Sequence, residues 1–284
     1  MSDPQSVAAR RATFRRLHES GCFVIPNPWD IGTARYLQHL GFAALATTSS
    51  GFAFSRGLPD GEGAVSLAAA LGHIAEIVAA TDLPVNADFE GGYATGPEGV
   101  AANVRACVQT GVAGLSIEDY TGDPARPLYD LGLATERIAA ARAAIDGSGG
   151  GVLLTARAEC HLVDHPDPLR ESIRRLQAYA EAGADVLYAP GPRTRDDIAA
   201  IVAAAAPRPV NVLMVGGMGL RVSDLAALGV RRLSIGSGLN RAAWGGFLAA
   251  AREMAGEGRF DALDAATPFA EINDFFHEDR KRRS

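Results

Sequence analysis

Eight times along the chain, a short aliphatic or β-branched run is followed by a longer, alanine-rich segment. The short runs cover residues 22–27, 43–48, 84–88, 114–118, 152–157, 186–190, 210–215 and 232–237. Between and after them, apolar residues recur three and four apart over 32–40, 66–80, 97–110, 134–146, 168–182, 194–206, 222–228 and 241–255. That spacing predicts helices. Several carry start signals: Ser66, Asp167 before Pro168, and Thr194 three residues ahead of Asp197. Gly41, Gly111, Gly183 and Gly229 stand where helices should stop. The runs LPVNAD, VLLTAR and DVLYAP are apolar on both faces, which suits parallel strands buried between layers. Such alternation either closes into a barrel or opens as a doubly wound sheet. Eight units over about 250 residues match the usual length of a barrel, so an α/β fold of the TIM-type (α/β)8 class is expected.

No linker or shift in composition splits the chain, so residues 1–284 read as one barrel domain. The stretch DGSGGG at 146–151 reads as a loop. Beyond the eighth helix, 267–279 forms one more amphipathic helix with Phe269, Ile272, Phe275 and Phe276 on one face. That face needs cover, and another subunit is a natural place for it. The basic residues 280–284 read as a disordered tail.

Hydrophobic residues make up 48%, enough to bury a large core without staples. The net charge is -6 with no basic stripe, which argues against nucleic acid as a partner. No apolar run reaches the length of a membrane span. The start, MSDPQSVAARRATFRR, lacks the apolar stretch of a secretory signal. Cys22, Cys107 and Cys160 are scattered and odd in number, which fits neither a disulfide framework nor a zinc site. A reducing cytoplasm is the expected setting.

A barrel of this type carries its chemistry at the C-terminal ends of its strands. The second strand ends in Thr47, Thr48, Ser49 and Ser50, followed by a loop with Asp60 and Glu62. The third ends in Asp88 and Glu90, the fourth in Glu118 and Asp119, the fifth in Arg157 and Glu159. The seventh contains Asn211. Asp60, Asp88, Glu90 and Glu118 would converge on one pocket, where their charges repel unless a cation joins them. Hard oxygen donors without His or Cys suit Mg2+ or Mn2+. Arg157 would grip a substrate carboxylate with its planar fork. Thr48, Ser49 and Ser50 could hold the other end of a small anion. A metal and an arginine around a carboxylate suit chemistry through an enolate.

Each residue also has a plainer reading. Acids at strand ends cap helices or pair with arginines. Asp88 and Glu90 resist this, because alternating strand residues point the same way. Of the adjacent Glu118 and Asp119 only one can face the pocket, which leaves the other structural. Asn211 could be a satisfied amide inside the barrel. Cys160 and His161 lack an orienting third group for nucleophilic work. His18, His39 and His73 lie on or near predicted helices and read as surface residues. GGMGLR at 216–221 could cradle a phosphate or simply serve a turn.

The motifs GLPDGEG (57–63), NADFEGGY (86–93), LSIEDYTGDPARPLYD (115–130), TARAE (155–159) and NVL (211–213) together resemble the isocitrate lyase / phosphoenolpyruvate mutase superfamily. The resemblance runs from NPWDIGTARYLQHLGFAAL to VRRLSIGSGLNRAAWG, nearly the whole chain. It implies a barrel whose last helix is exchanged between subunits in a homodimer or homotetramer. It also implies a Mg2+ site and C–C or P–C chemistry beside a carboxylate. By resemblance Asp88 binds the metal, Glu90 is the second acid and Glu118 the third, joined through water. Asp60 is the loop acid, Arg157 the carboxylate-binding arginine, and Thr48 and Ser49 receive the substrate carboxylate. Asn211 would touch the distal end of the substrate.

The departures narrow the activity. The lyases of this superfamily carry a K-x-C-G-H loop; here the loop reads TGDPARPLYD, with no Cys, Lys or His. The mutases clamp a phosphoryl group with lysine and asparagine on that loop; here only Arg126 is offered. The loop at 122–130 should act as a lid, with Asp123, Arg126 and Tyr129 able to meet substrate. The expectation is a Mg2+-dependent lyase or decarboxylase acting on a small 2-oxo or 2-hydroxy carboxylate. A P–C bond enzyme resembling phosphoenolpyruvate mutase or phosphonopyruvate hydrolase is the alternative, and a non-catalytic carboxylate-binding barrel is a third reading.

Overall fold

The computed structural model describes residues 4–61 and 63–283, with side chains from residue 7 onward. Glu62 lies outside the described residues. The chain divides into two compact units, residues 1–237 and 238–284.

The first unit opens with α1 (Pro4–Leu17), then β1 (Phe23–Ile25), α2 (Ile31–His39), β2 (Leu45–Ala46), α3 (Ser49–Ser55) and α4 (Leu67–Ala80). It continues through β3 (Val85–Asp88), α5 (Pro97–Gln109), β4 (Gly114–Glu118), α6 (Leu131–Gly147), β5 (Leu153–Arg157) and α7 (Pro168–Glu181). It closes with β6 (Val186–Tyr188), α8 (Arg195–Ala205), β7 (Val210–Leu213), α9 (Val222–Ala227) and β8 (Arg232–Ser234). Every strand pair is parallel, in the order β1-β8-β7-β6-β5-β4-β3-β2. The seam between β1 and β2 is crossed by the Ala46 N–H bonding Pro26 C=O at 3.0 Å. Asn27 reinforces it: its amide donates to Thr47 C=O at 2.8 Å and accepts from the Ile235 N–H at 3.0 Å. The result is a nearly closed (α/β)8 barrel, as the alternation predicts.

Outward strand residues such as Leu115, Ile117, Leu154, Leu187, Val212 and Leu233 pack with Ile77, Val104, Ile138, Leu176 and Ile198 of the helices. Ser66 and Thr194 cap their helices as expected, accepting from the Ala69 and Asp197 N–H groups. Asp167 makes no such cap bond.

Two helices were not expected. Helix α1 is mostly polar, so its spacing is a weak signal, yet it plugs the N-terminal end of the barrel. Phe14 packs there with Ile25, Ala46, Leu153 and Val186. It approaches Gly114 so closely that a Cβ at that position would lie 2.6 Å from the Phe14 ring. Arg10 donates to the carbonyls of Val78 and Thr81, and Arg11 to those of Val108 and Val112. These bonds satisfy carbonyls that helix ends leave without partners. His18 follows α1 and is buried, contrary to the surface reading; it packs edge-on against Phe14 and Phe23. The second unexpected helix, α3, is a single short stretch capped by Thr48.

The second unit holds α10 (Gly238–Glu257), a 3-10 turn (Asp261–Ala265) and α11 (Phe269–Arg283). Helix α11 runs past the expected end at 279, so residues 280–283 are helical where a disordered tail was expected. Phe275 is buried edge-on to Phe276, while Phe269 and Ile272 are exposed. Among the described residues no helix is long and apolar enough to cross a membrane.

Candidate functional site at the C-terminal mouth of the barrel

Strands β4 and β5 end level, with Glu118 paired to Arg157, and β3 ends at Asp88, paired with Ser116 two residues before the end of β4. Paired residues of parallel strands point to the same side, so the acids and the arginine face the barrel mouth together. The Arg157 guanidinium sits among three carboxylates. It bonds Asp88 at 2.9 Å, Glu118 at 3.0 Å and Glu159 at 2.8 Å. The other Asp88 oxygen accepts from both the N–H and the hydroxyl of Ser49, at 3.0 and 2.9 Å. The Thr47 hydroxyl accepts from the Asp88 N–H. Two of the four acids expected to converge, Asp88 and Glu118, meet here together with Glu159, and the cation among them is Arg157 itself.

Glu90 reaches this region by a different route from the one expected. Strand β3 ends at Asp88, and Glu90 takes a left-handed conformation (φ 44), as does Tyr93 (φ 54). Strand alternation therefore does not aim Glu90; the tight 89–93 turn does. Such conformations in non-glycine residues cost energy and cluster at functional sites. The Glu90 carboxylate accepts from the Tyr93 hydroxyl at 2.8 Å. Asp88, Glu90, Ser49 and Thr48 line a small cavity of about 10 Å³ with Phe52 and His73. That is room for one water. His73 is buried and stacks on Phe52 at 4.0 Å, so it is not the surface residue expected; burial holds its pKa down to about 4.

The rim residues divide into those in the pocket and those that hold it. Asp119 is the structural member of its pair: it accepts from the Glu159 N–H, Arg175 and the Tyr179 hydroxyl. Thr48 caps α3 and shares a hydrogen bond with Ser50 at 3.2 Å. Asn211 does not reach toward the mouth. Its oxygen accepts from Arg232 and its amide donates to Ser234, both inside the barrel. Both of its polar atoms are thus engaged inside the barrel, which matches its reading as a satisfied interior amide. Tyr129 also departs from expectation: it is buried, with Arg137 over its ring at 4.0 Å, where the loop at 122–130 was expected to offer it to substrate. Arg126 is on the loop, 89% exposed, and pairs with Asp123 at 3.7 Å. Asp60 lies on its solvent-facing loop; partial burial of its carboxyl and the Asp88 charge raise its pKa, and Arg157 opposes them. Cys160 is buried and its thiol is pushed up to about 11, which removes it as a nucleophile.

Glu159 and Tyr188 are the residues that sequence reasoning undervalued. Glu159 completes the ring of acids around Arg157, and the Tyr188 ring lies 5.3 Å from that guanidinium. Their signal was present: Glu159 sits two residues beyond Arg157, and Tyr188 breaks an aliphatic strand.

Among the described residues no three His, Cys, Asp or Glu side chains converge tightly enough to enclose a metal ion. The donor set nevertheless suits a hard divalent cation. All donors are oxygens, and one guanidinium faces three acids. Burial, then repulsion from Glu159, Asp88 and Glu90, raises the Glu118 pKa despite the adjacent Arg157. Positive charge is thus in short supply there.

That shift has a testable sign. A carboxyl whose folded pKa is raised adds stability below its unfolded value of about 4.3, and this is lost as pH rises. Glu118→Gln, which mimics the protonated form, should therefore stabilise the ligand-free protein more at pH 8 than at pH 5. Paired thermal melts at the two pH values check this; an equal effect at both would contradict it.

The family model described as phosphoenolpyruvate phosphomutase matches residues 14–255. A solved structure from Burkholderia cenocepacia J2315, described as a candidate lyase/mutase, is 48% identical with a TM-score of 0.90. The match covers 96% of this chain and 97% of that one. Oxaloacetate acetylhydrolase in complex with its product oxalate is 28% identical, with a TM-score of 0.82 over 100% of both chains. Phosphonopyruvate hydrolase in complex with oxalate and Mg2+ is 25% identical, with a TM-score of 0.83 over 96% and 97%.

Proposed function

Because the chain belongs to the phosphoenolpyruvate phosphomutase family, we propose that its mouth site cleaves a C–C bond of a small 2-oxo or 2-hydroxy carboxylate, with decarboxylation as the favoured reaction. The observation that carries this reading is the Arg157 guanidinium framed by Asp88, Glu118 and Glu159. Arg157 turns from these acids to bind a substrate carboxylate. Ser49, already donating two hydrogen bonds toward Asp88, orients the acid and the near end of the substrate. Asp88, Glu90 and Glu118 would hold Mg2+, or Mn2+, which when bound supplies positive charge where a substrate oxygen becomes negative. Bond cleavage leaves its electron pair in an enolate of the pyruvate type. Decarboxylation needs no strong base, which fits a loop without Cys, Lys or His. That oxaloacetate acetylhydrolase, with oxalate in its site, shares this fold supports the substrate class.

P–C chemistry needs a cation to clamp a phosphoryl group. Arg126, the loop's candidate, points to solvent and pairs with Asp123, so no observation favours that reading. The exposed apolar residues of the second unit, Phe247, Phe260 and Phe269 among them, fit a homo-oligomer.

Oxalate mimics a pyruvate enolate, so thermal unfolding with oxalate, with and without Mg2+, is the direct test. A ligand at a hundred times its Kd adds about 2.7 kcal/mol to folding stability. Stabilisation by oxalate only when Mg2+ is present is expected, followed by turnover of oxaloacetate. If saturating Mg2+ and oxalate leave the midpoint unmoved, the enolate reading fails.

A further inference from the structure

Beneath the acid ring lies a buried cation that this chemistry leaves unused. Arg157, Tyr188, Asn211 and Arg232 are register partners on β5, β6, β7 and β8, so their side chains all point into the barrel. Arg232 is buried, and desolvation lowers its pKa to about 10. Its Nε donates to Asn211 Oδ1 at 2.9 Å and its Nη2 to Thr155 Oγ1 at 3.0 Å. Its Nη1 faces His18 Nε2 at 3.5 Å. His18 Nδ1 lies 2.8 Å from the Phe14 carbonyl, which can only accept. The ring proton therefore sits on Nδ1, and Nε2 offers a lone pair. All three acceptors around Arg232 are neutral.

A guanidinium only donates, so it fixes the order of the bonds that follow. Asn211 turns its oxygen to Arg232, and its amide donates to Ser234 Oγ at 2.9 Å. Ser234 in turn lies close enough to the Tyr188 hydroxyl to favour its ionised form. With its oxygen already accepting from Asn211, Ser234 turns its own proton to Tyr188. The order of donors runs toward Tyr188, so its phenolic proton is left for another acceptor. The Arg157 guanidinium lies over the Tyr188 ring, 5.3 Å from its centroid. A phenolate formed here has a cation over its ring and a polarised donor chain leading toward it. Burial pushes the Tyr188 pKa up to about 12, while Arg157 and the Ser234 bond act against that rise.

We propose that Tyr188 is the catalytic acid, and that its hydroxyl delivers a proton to the substrate carbon that keeps the electron pair after C–C cleavage. The inference rests on the enolate reading of the same site. The balance is simple. The C–C pair becomes the enolate, a new C–H bond forms, the Tyr188 O–H bond breaks, and water returns the proton to the phenolate. No oxidant or reductant takes part. Run backwards, the step removes a proton from the methyl group of pyruvate. The protein should then exchange pyruvate methyl protons with D2O without cleaving any C–C bond.

The experiment follows pyruvate in D2O with Mg2+ by proton NMR, alongside thermal unfolding with oxalate and Mg2+. The native chain should exchange. Tyr188→Phe keeps the ring and should lose at least about 100-fold in exchange rate, the usual contribution of a positioned acid. It should still be stabilised by oxalate. Ser234→Ala removes one donor and should slow exchange by about 3- to 10-fold. Unchanged exchange in Tyr188→Phe overturns the proposal. So does a native chain that binds oxalate without exchanging pyruvate, or a Tyr188→Phe protein that no longer responds to oxalate. No oxalate response in the native chain instead overturns the enolate reading itself, and the acid role with it.

Discussion

Arg157→Ala should abolish the response to oxalate and lower the stability of the ligand-free protein by about 3–5 kcal/mol at pH 8. The reason is the company Arg157 keeps. Asp88, Glu118 and Glu159 each contact its guanidinium within 3.0 Å, and all three are largely buried. Without it, three like charges share a pocket with little solvent. Glu118 and Glu159, whose folded pKa values are already raised, answer by taking up protons. Stability then falls as pH rises through that window, and the defect should be smaller at pH 5 than at pH 8. Arg157→Lys retains one charge but only a point-like donor, which cannot reach three carboxylates along a planar fork. It should fall between the two. Urea unfolding at both pH values measures this. An Arg157→Ala protein as stable as the native chain at pH 8 would show that the acid ring does not depend on the guanidinium.

Asp119→Ala should cost a similar amount, about 3–5 kcal/mol, although Asp119 never faces the pocket. One of its oxygens accepts from the Glu159 N–H at 2.9 Å. The other accepts from Arg175 at 3.0 Å and the Tyr179 hydroxyl at 2.6 Å. Removing the carboxylate leaves a buried guanidinium, a buried phenol and a buried amide short of an acceptor. Glu171 retains its bond to Arg175, which limits the loss. For a chain of this size the melting temperature should drop by on the order of 10 °C. Glu159 would also lose its backbone anchor, so oxalate affinity should weaken although no contacting group was changed. A melt within a degree of the native value would mean that water replaces the carboxylate without cost.

Much of this is legible in the amino-acid sequence alone. The alternation of apolar runs and amphipathic segments implied eight strands, and the number of units for the chain length favoured their closure into a barrel over a doubly wound sheet. Strand β4 matches its expected bounds, 114–118, and the other strands shrink by one to four residues. Ends shift because pairing with neighbours, not local preference, decides where a strand stops. The acids at the strand ends and Arg157 were legible for the same reason: a barrel strand delivers its last residues to the mouth. Helix α1 was not legible. Its residues RRATFRR look like a solvated segment, and only the carbonyls of α4 and α5 and the barrel floor give Arg10, Arg11 and Phe14 their roles.

The roles of single side chains were decided by distance across the barrel. Asn211, a candidate for the substrate in the sequence, belongs to Arg232, its partner on the next strand. Tyr129, on the expected lid, is held under Arg137 from the following helix. His18 and His73, apparently superficial, are enclosed by aromatic rings. The sequence by itself determined the barrel, the face that bears the chemistry and the residue types available there, because periodicity and strand-end position are local properties. Only the tertiary structure decided which acids share Arg157, which one is structural, and that a neutral-cradled Arg232 lies behind Tyr188. Those facts depend on side chains far apart in the chain meeting within about 3 Å, the range over which hydrogen bonds and ion pairs act.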